Sequence, residues 1–169
     1  PMPAGFRQAE GGDIDALRAA ITPATAGVLV EMVQGEGGVR PMTQDYARAV
    51  ADLCREKGVL LMVDEIQTGL CRTGRFWAHQ HYGVEPDIVT SAKALANGLP
   101  MGAMMTTDEV AQAFVAGSHA TTFGAGALVS SVAAATLDIM KRDRLDERAA
   151  AVGGRAMERF RAIGAKLPG

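Results

Sequence analysis

Strand-length apolar runs alternate with segments of helical periodicity along the first half of the chain. Residues 27–33 and 59–63 are nearly continuous apolar runs, a pattern typical of parallel strands that are covered on both faces. The segment between them repeats its apolar residues at helical spacing. A strand, a helix and a strand in this order predict a right-handed parallel crossover.

The rest of the chain continues the same alternation. A third strand is predicted just before Lys93 and a fourth over 102–106. Helix signals occur after Asp13, from Thr43 to Gly58, near Thr107, and over 128–140 and 145–163. We therefore predict an α/β fold with a mostly parallel sheet and helices on its faces.

Composition and net charge limit the classes of function that the sequence supports. The 169 residues carry a net charge of -2, which gives no electrostatic reason to expect nucleic acid or an anionic membrane as partner. No apolar run approaches the roughly twenty residues that span a bilayer. Two cysteines without metal-like pairing to histidine predict no metal site and a reduced, cytoplasmic setting. Because the chain opens at Pro1, we expect it to be a piece of a longer protein.

Candidate chemistry collects at the predicted strand ends. Glu36, Asp64 and Lys93 follow the first, second and third strands, and ligands of such sheets bind beyond the carboxyl ends of the strands. A lysine at the end of a buried strand is poorly solvated, which favours a reactive amine. The competing interpretations are a solvated loop lysine and an aspartate that only caps the next segment.

A reactive lysine near a carboxylate has a specific use in enzymes that employ pyridoxal phosphate (PLP). The lysine bonds covalently to this cofactor, and an aspartate keeps the pyridine nitrogen protonated. Residues 117–124 supply hydroxyls and flexible backbone amides that suit a phosphate group. An ordinary turn rich in glycine and threonine is the alternative for this segment.

Four motifs together resemble the class III aminotransferases of PLP fold type I. They lie at 63–69, 72–75, 86–88 and 92–95. Within this family, 34–39 and 101–104 look most like the acetylornithine aminotransferases, with the ornithine aminotransferases as near relatives. The resemblance implies that 1–142 form the second half of the PLP-binding large domain. It also implies that 143–169 form a helix leading toward a C-terminal small domain.

The resemblance also implies roles for three residues near the cofactor ring. Lys93 matches the lysine that bonds to the cofactor and later moves a proton. Asp64 matches the aspartate that holds the pyridine nitrogen. Gln67 matches the glutamine that approaches the ring hydroxyl, and its amide can donate a hydrogen bond there. A polar residue at the start of a helix is the alternative interpretation of Gln67.

Further roles implied by the resemblance concern phosphate and substrate. Thr122, with Thr121 beside it, matches the position that reaches the phosphate of the partner subunit. Glu36 matches the glutamate that pairs with an arginine and gates dicarboxylate against ω-amino substrates, and an exposed loop acid is its alternative. Arg72 matches a motif position without an assigned role. Where relatives usually have a second glycine after the threonines, this chain has Ala125.

The implied activity is PLP-dependent transfer of the ω-amino group of N-acetylornithine to 2-oxoglutarate, a step of arginine biosynthesis. The resemblance further implies a cytoplasmic homodimer with shared active sites. Alternatives in the same class are ornithine, 4-aminobutyrate and succinyl-ornithine aminotransferases. From a different class, the chain is a non-catalytic fragment or binding module that pairs through an exposed sheet edge.

Overall fold

A computed structural model describes residues 3–167 of the chain as a layered α/β unit. None of its helices is long and apolar enough to cross a membrane, within the described residues. The helices are α1 (Ile14–Ala20), α2 (Gln44–Lys57), α3 (Asp108–Ala111), α4 (Ala127–Arg142) and α5 (Leu145–Gly164), with 3₁₀ turns at Ala78–His81 and Lys93–Ala96. The strands are β1 (Gly27–Val30), β2 (Val33–Gln34), β3 (Arg40–Pro41), β4 (Leu60–Asp64), β5 (Ile88–Ser91) and β6 (Ala103–Thr106).

Four of the strands form one sheet in the order β1-β4-β5-β6, and β2 pairs with β3 in a separate hairpin. Strands β1, β4 and β5 are parallel, whereas β6 is antiparallel to β5. The predicted α/β fold with a mostly parallel sheet is therefore confirmed. Because the parallel strands end at one edge, the segments that follow them meet there.

Local capping signals set the ends of the first two helices. Asp13 accepts a hydrogen bond from the N–H of Ala16 at 2.9 Å, and Thr43 accepts one from the N–H of Tyr46 at 3.2 Å. Gly58 ends α2 with a φ of 64°, a conformation that glycine adopts without strain. The starts predicted for both helices and the end of α2 are confirmed.

The strand predicted over 27–33 is too long. Strand β1 ends at Val30, because the backbone of Met32 bonds outside the main sheet. The Met32 carbonyl accepts hydrogen bonds from the N–H of Met42 at 3.0 Å and from the hydroxyl of Tyr82 at 3.1 Å. The chain therefore leaves the sheet early and forms the β2–β3 hairpin beside the carboxyl edge.

Apolar side chains of the chain form two clusters. The first packs α1 and α2 against β1 and β4, and its strand members are Val28, Leu61 and Val63. The second cluster joins the segments after β4 and β5 to α4. Its buried members are Leu70, Cys71, Leu95, Ala96, Ala133 and Met140. The two segments that carry the candidate chemistry are therefore anchored on α4.

The opposite face of the sheet is partly open within residues 3–167. The register puts Leu29 in line with Met62, and Met62 in line with Ile88, on the face away from Val28. Leu29 is 57% exposed and Met104, from β6, is 48% exposed. The expectation that both faces of β1 are covered is therefore wrong for the described residues.

Candidate active site

Asp64 is the last residue of β4 and lies half-buried at the carboxyl edge of the sheet. Its Cα is in register with that of Thr90 on the neighbouring strand β5. Oδ1 of Asp64 accepts a hydrogen bond from the N–H of Ile66 at 2.8 Å, which stabilises the turn that follows. Oδ2 accepts no hydrogen bond from residues 3–167, so one carboxylate oxygen is available to a ligand.

Lys93 lies two residues beyond β5 and opens the 3₁₀ turn Lys93–Ala96. Its φ is 48°, in the left-handed region that residues with a Cβ rarely adopt. Leu95 and Ala96 are buried in the second cluster, and this anchoring holds the turn in place. The Lys93 side chain is exposed, so the expectation of a poorly solvated lysine is wrong for the described residues. The structure brings this amine to the same edge as Asp64.

Two buried hydroxyls precede this lysine. Oγ1 of Thr90 and Oγ of Ser91 have no hydrogen-bond partner among the described residues. A buried polar group without a partner costs free energy, so such groups mark places where a ligand atom fits. Thr90 shares a face of the sheet with its register partner Asp64. Sequence reasoning missed Thr90, because the register between β4 and β5 cannot be read from either strand alone.

Gln67 connects the turn after β4 to the β2–β3 hairpin. Its Nε2 donates a hydrogen bond to Oε1 of Glu36 at 3.4 Å. A Cβ at Gly35 would lie 1.9 Å from Oε1 of Gln67, so any larger residue would displace the Gln67 side chain from this position. The N–H of Gly35 is in turn held by Oε2 of Glu31 at 3.2 Å. The structure therefore brings together two residues of the sequence-based site, Gln67 and Glu36.

Glu65 is a buried carboxylate between Asp64 and Gln67 that sequence reasoning missed. Its Oε1 accepts hydrogen bonds from the backbone N–H of His79 at 2.8 Å and from His79 Nδ1 at 3.1 Å. Its Oε2 accepts one from the hydroxyl of Thr68 at 2.5 Å. Burial raises the pKa of the Glu65 carboxyl, but the hydrogen bonds from His79 and Thr68 outweigh it and bring this pKa below its ordinary value. Thr68, three residues after Glu65, is the one local signal of this network.

Three other motif residues are exposed. Thr121 and Thr122 lie in the segment before α4, and no hydrogen bond within the described residues joins them to the lysine turn. Ala125 in this segment has a φ of 55°, a conformation that glycine favours. Arg72 is exposed and forms no ion pair among residues 3–167. No hydrogen bond or ion pair among residues 3–167 links these residues to Asp64.

The carboxyl edge thus combines groups of complementary chemistry. An exposed amine can attack a carbonyl carbon, a free carboxylate oxygen can hold a protonated ring nitrogen, and the amide of Gln67 can donate to a hydroxyl. The unpartnered hydroxyl of Thr90 adds a donor on the same face. No group of three or more His, Cys, Asp or Glu among the described residues is arranged to hold a metal ion. This donor set fits an aromatic aldehyde with a ring nitrogen.

Comparison with curated proteins identifies close relatives. The family model for aminotransferase class-III matches residues 6–168. The acetylornithine aminotransferase of Methanocaldococcus jannaschii is 47% identical over 148 residues, which cover 88% of this chain and 37% of that protein. The [LysW]-aminoadipate semialdehyde transaminase of Deinococcus radiodurans is 49% identical over 152 residues, covering 90% of this chain and 35% of that protein.

Solved structures show the same relationship. The ornithine aminotransferase of Toxoplasma gondii, in which PLP partly occupies the active site, superposes with a TM-score of 0.91 at 40% identity. That match covers 96% of this chain and 38% of the Toxoplasma chain. The acetylornithine aminotransferase of Elizabethkingia anophelis gives a TM-score of 0.86 at 34% identity, covering 92% of this chain and 40% of its own.

The chain spans well under half the length of these relatives, between 35% and 40%. The matched region nevertheless extends over almost the whole of the described residues. Its identity to curated aminotransferases and its superposition on solved ones agree. The chain therefore belongs to the class-III aminotransferase family.

Proposed function

We propose that the chain forms the part of a PLP-dependent aminotransferase that carries the covalent lysine, Lys93. The observation that carries the proposal is the arrangement of Asp64, Thr90 and Lys93 at the carboxyl ends of two adjacent parallel strands. In this proposal, 1–142 form the second half of the cofactor-binding large domain, and 143–169 lead toward a small domain. PLP, when bound, accepts the electron pair released at the substrate carbon.

Three residues of the chain have roles at the cofactor in this proposal. Lys93 would hold the cofactor covalently through Nζ, which replaces the aldehyde oxygen as that oxygen leaves as water. Once displaced by the substrate amine, Nζ would move a proton at the substrate carbon. Asp64 would accept a hydrogen bond from the pyridine nitrogen, and its Oδ2 accepts none from the described residues. Gln67 would donate to the ring hydroxyl through Nε2, which requires it to release or share its bond to Glu36. A cofactor held in this way is oriented, and orientation supplies much of the rate enhancement in such reactions.

The proposed reaction transfers the ω-amino group of N-acetylornithine to 2-oxoglutarate. Several of the matched curated relatives carry the name acetylornithine aminotransferase, which supports this donor. The second candidate is another class III aminotransferase, favoured by the ornithine aminotransferase fold match and by the Deinococcus transaminase. Glu36, exposed on the hairpin turn beside Gln67, selects between donors in this proposal.

The proposal also includes a homodimer and a cytoplasmic location. Thr121 and Thr122 are exposed and make no hydrogen bond to the lysine turn within the described residues, which suits contact with the cofactor phosphate of a partner subunit in a homodimer. Cys54 and Cys71 are free and buried, which supports a cytoplasmic location. A non-catalytic binding module remains the candidate from another class, and the open sheet face around Leu29 favours it.

Cofactor capture tests the proposal. PLP is added to the chain, its visible absorbance is recorded, the product is reduced with borohydride, and the modified peptide is mapped. Of the four lysines, Lys57, Lys93, Lys141 and Lys166, we expect the label on Lys93. Asp64→Ala removes a charged hydrogen-bond acceptor and should weaken PLP binding roughly tenfold or more.

Two outcomes of this experiment would contradict the proposal. One is a label spread over several lysines. The other is a capture at Lys93 that Asp64→Ala leaves unchanged. The donor is then decided with the full-length enzyme by comparing kcat/KM for N-acetylornithine and ornithine with 2-oxoglutarate as acceptor. We expect the higher value for N-acetylornithine, and a higher value for ornithine would select the second candidate.

Gly35→Ala should weaken PLP binding by displacing Gln67. The added Cβ would lie 1.9 Å from Oε1 and 2.6 Å from Nε2 of Gln67, and this flexible side chain can swing away. Loss of one hydrogen bond to the cofactor corresponds to about 1 kcal/mol, or roughly fivefold in Kd. The measurement is PLP titration of Gly35→Ala, Gln67→Ala and the double variant.

The double variant shows whether Gly35→Ala weakens PLP binding through Gln67. If Gly35→Ala acts through Gln67, the two single effects on Kd do not add in the double variant. Gly37→Ala is the matched control, because its Cβ meets only the side chain of Gln34, at 3.2 Å. Additive single effects, or an equal effect of Gly37→Ala, would contradict the displacement of Gln67.

A further inference from the structure

We propose that Glu65, through its buried contacts to His79 and Thr68, is the positioning residue that fixes Asp64 and Gln67 at the cofactor site. The inference rests on the proposed function. Glu65 itself faces away from solvent, since its side chain is fully buried. It therefore acts through its neighbours and does not touch the reacting atoms.

The carboxylate of Glu65 is satisfied on both oxygens. Oε1 takes two N–H groups of His79, and Oε2 takes the hydroxyl of Thr68. A buried charge is tolerated only with such donors, and removal of a partner is strongly unfavourable. Since the carboxylate can only accept hydrogen bonds, Nδ1 of His79 carries a proton. The side chain is therefore held in one position between the two partners.

The backbone of Glu65 transmits this position to both candidate cofactor residues. Its N–H donates to the carbonyl of Thr90 at 2.9 Å, and its carbonyl accepts from the N–H of Gly69 at 2.9 Å. Asp64 precedes it directly, and Gln67 lies inside the turn that the Gly69 bond closes. A shift of Glu65 therefore moves both residues relative to the lysine turn.

The partner of Glu65 is itself held in place. The His79 ring lies parallel to that of Trp77, with centroids 6.5 Å apart, and Trp77 meets Phe76 edge to face at 4.9 Å. His79 belongs to the 3₁₀ turn Ala78–His81, whose Ala78 is buried in the first cluster. The hydrogen bonds between Glu65 and His79 thus connect the carboxyl edge of the sheet to the first cluster.

Hydrogen exchange of the chain without cofactor tests this positioning directly. Exchange of the Ile66 amide reports its hydrogen bond to the Asp64 carboxylate. Exchange of the Gly69 amide reports its hydrogen bond to the Glu65 carbonyl, which closes the turn. We expect Glu65→Ala to accelerate exchange of both amides about tenfold or more. Glu65→Gln should restore slow exchange, because its oxygen can face His79 while its amide donates to the hydroxyl of Thr68.

PLP titration of the same variants supplies the second readout. Wild type first establishes capture at Lys93, and without it the proposed function fails independently of Glu65. Given capture, we expect Glu65→Ala to raise the PLP Kd roughly tenfold and Glu65→Gln to stay within about threefold. Thr68→Val, which removes one donor and preserves the shape, should give an intermediate Kd and keeps the test open if Glu65→Ala does not fold.

Leu53→Ala is the matched structural control. Leu53 is 2% exposed in the first cluster, which contains no residue of the turn 65–69, so its truncation lowers stability from outside that turn. We expect Leu53→Ala to lower Tm while PLP Kd and Ile66 exchange stay as in wild type. The inference is overturned if Glu65→Ala changes Kd and exchange no more than Leu53→Ala does, or if Thr68→Val leaves both as in wild type.

Discussion

Gly69→Ala is expected to destabilise the chain by about 3 kcal/mol, the upper part of the range for overpacking a folded interior. A Cβ at this position would lie 2.6 Å and 2.7 Å from two ring carbons of Trp77 and 2.8 Å from the carbonyl oxygen of Glu65. Neither neighbour can yield cheaply. The Glu65 oxygen is backbone, and the Trp77 ring is packed against Phe76 and His79.

Urea unfolding measures the effect of Gly69→Ala. Trp77 is the only tryptophan of the chain, so its fluorescence reports the disturbed contact itself. Gly153→Ala is the control of opposite sign, because Gly153 lies inside α5 with nothing within 4 Å of an added Cβ. Alanine there should stabilise by up to about 1 kcal/mol. A loss below about 0.5 kcal/mol for Gly69→Ala, typical of surface substitutions, would contradict the close contact.

The sequence predicts those parts of the fold that depend on neighbouring residues. Asp13 and Thr43 cap helices that begin one residue later, and the signal and its effect lie within one turn. The end of β1 depends instead on Tyr82, whose hydroxyl binds the Met32 carbonyl from fifty positions along the chain. The apolar pattern of 27–33 does not indicate that bond, so the strand predicted from it is longer than β1.

Some features of the candidate site are likewise predicted by the local sequence, and others depend on distant residues. Motif order along the chain is sufficient to place Asp64 and Lys93 at the ends of two successive strands, because strand ends are marked by the change from apolar to polar residues. It could not show which of the adjacent acids, Asp64 or Glu65, is buried, since this depends on His79 from a later turn. Nor could it show that the lysine backbone is left-handed.

Left-handed backbone conformations cluster in the segments that follow β4 and β5. Leu70 and Cys71 have φ values of 58° and 69°, and Lys93 and Asn97 have values of 48° and 47°. Each such residue with a Cβ costs about 1 kcal/mol or more, and it keeps this conformation only where its surroundings hold it there. Here both segments pack on α4 through the second cluster, which fixes the strained backbone at the edge where the chemistry is proposed.

Lys93→Gly is expected to abolish PLP capture at this position and to stabilise the chain by about 1 kcal/mol. Glycine removes the amine and also the strain of a φ of 48°. Lys93→Ala removes the amine alone, so it should lose capture without that gain. Asn97→Gly is the matched control at a φ of 47°, where asparagine already tolerates the conformation and the gain should be a few tenths of a kcal/mol. Equal stability of the glycine and alanine variants at 93 in urea unfolding would show that no strain is stored there.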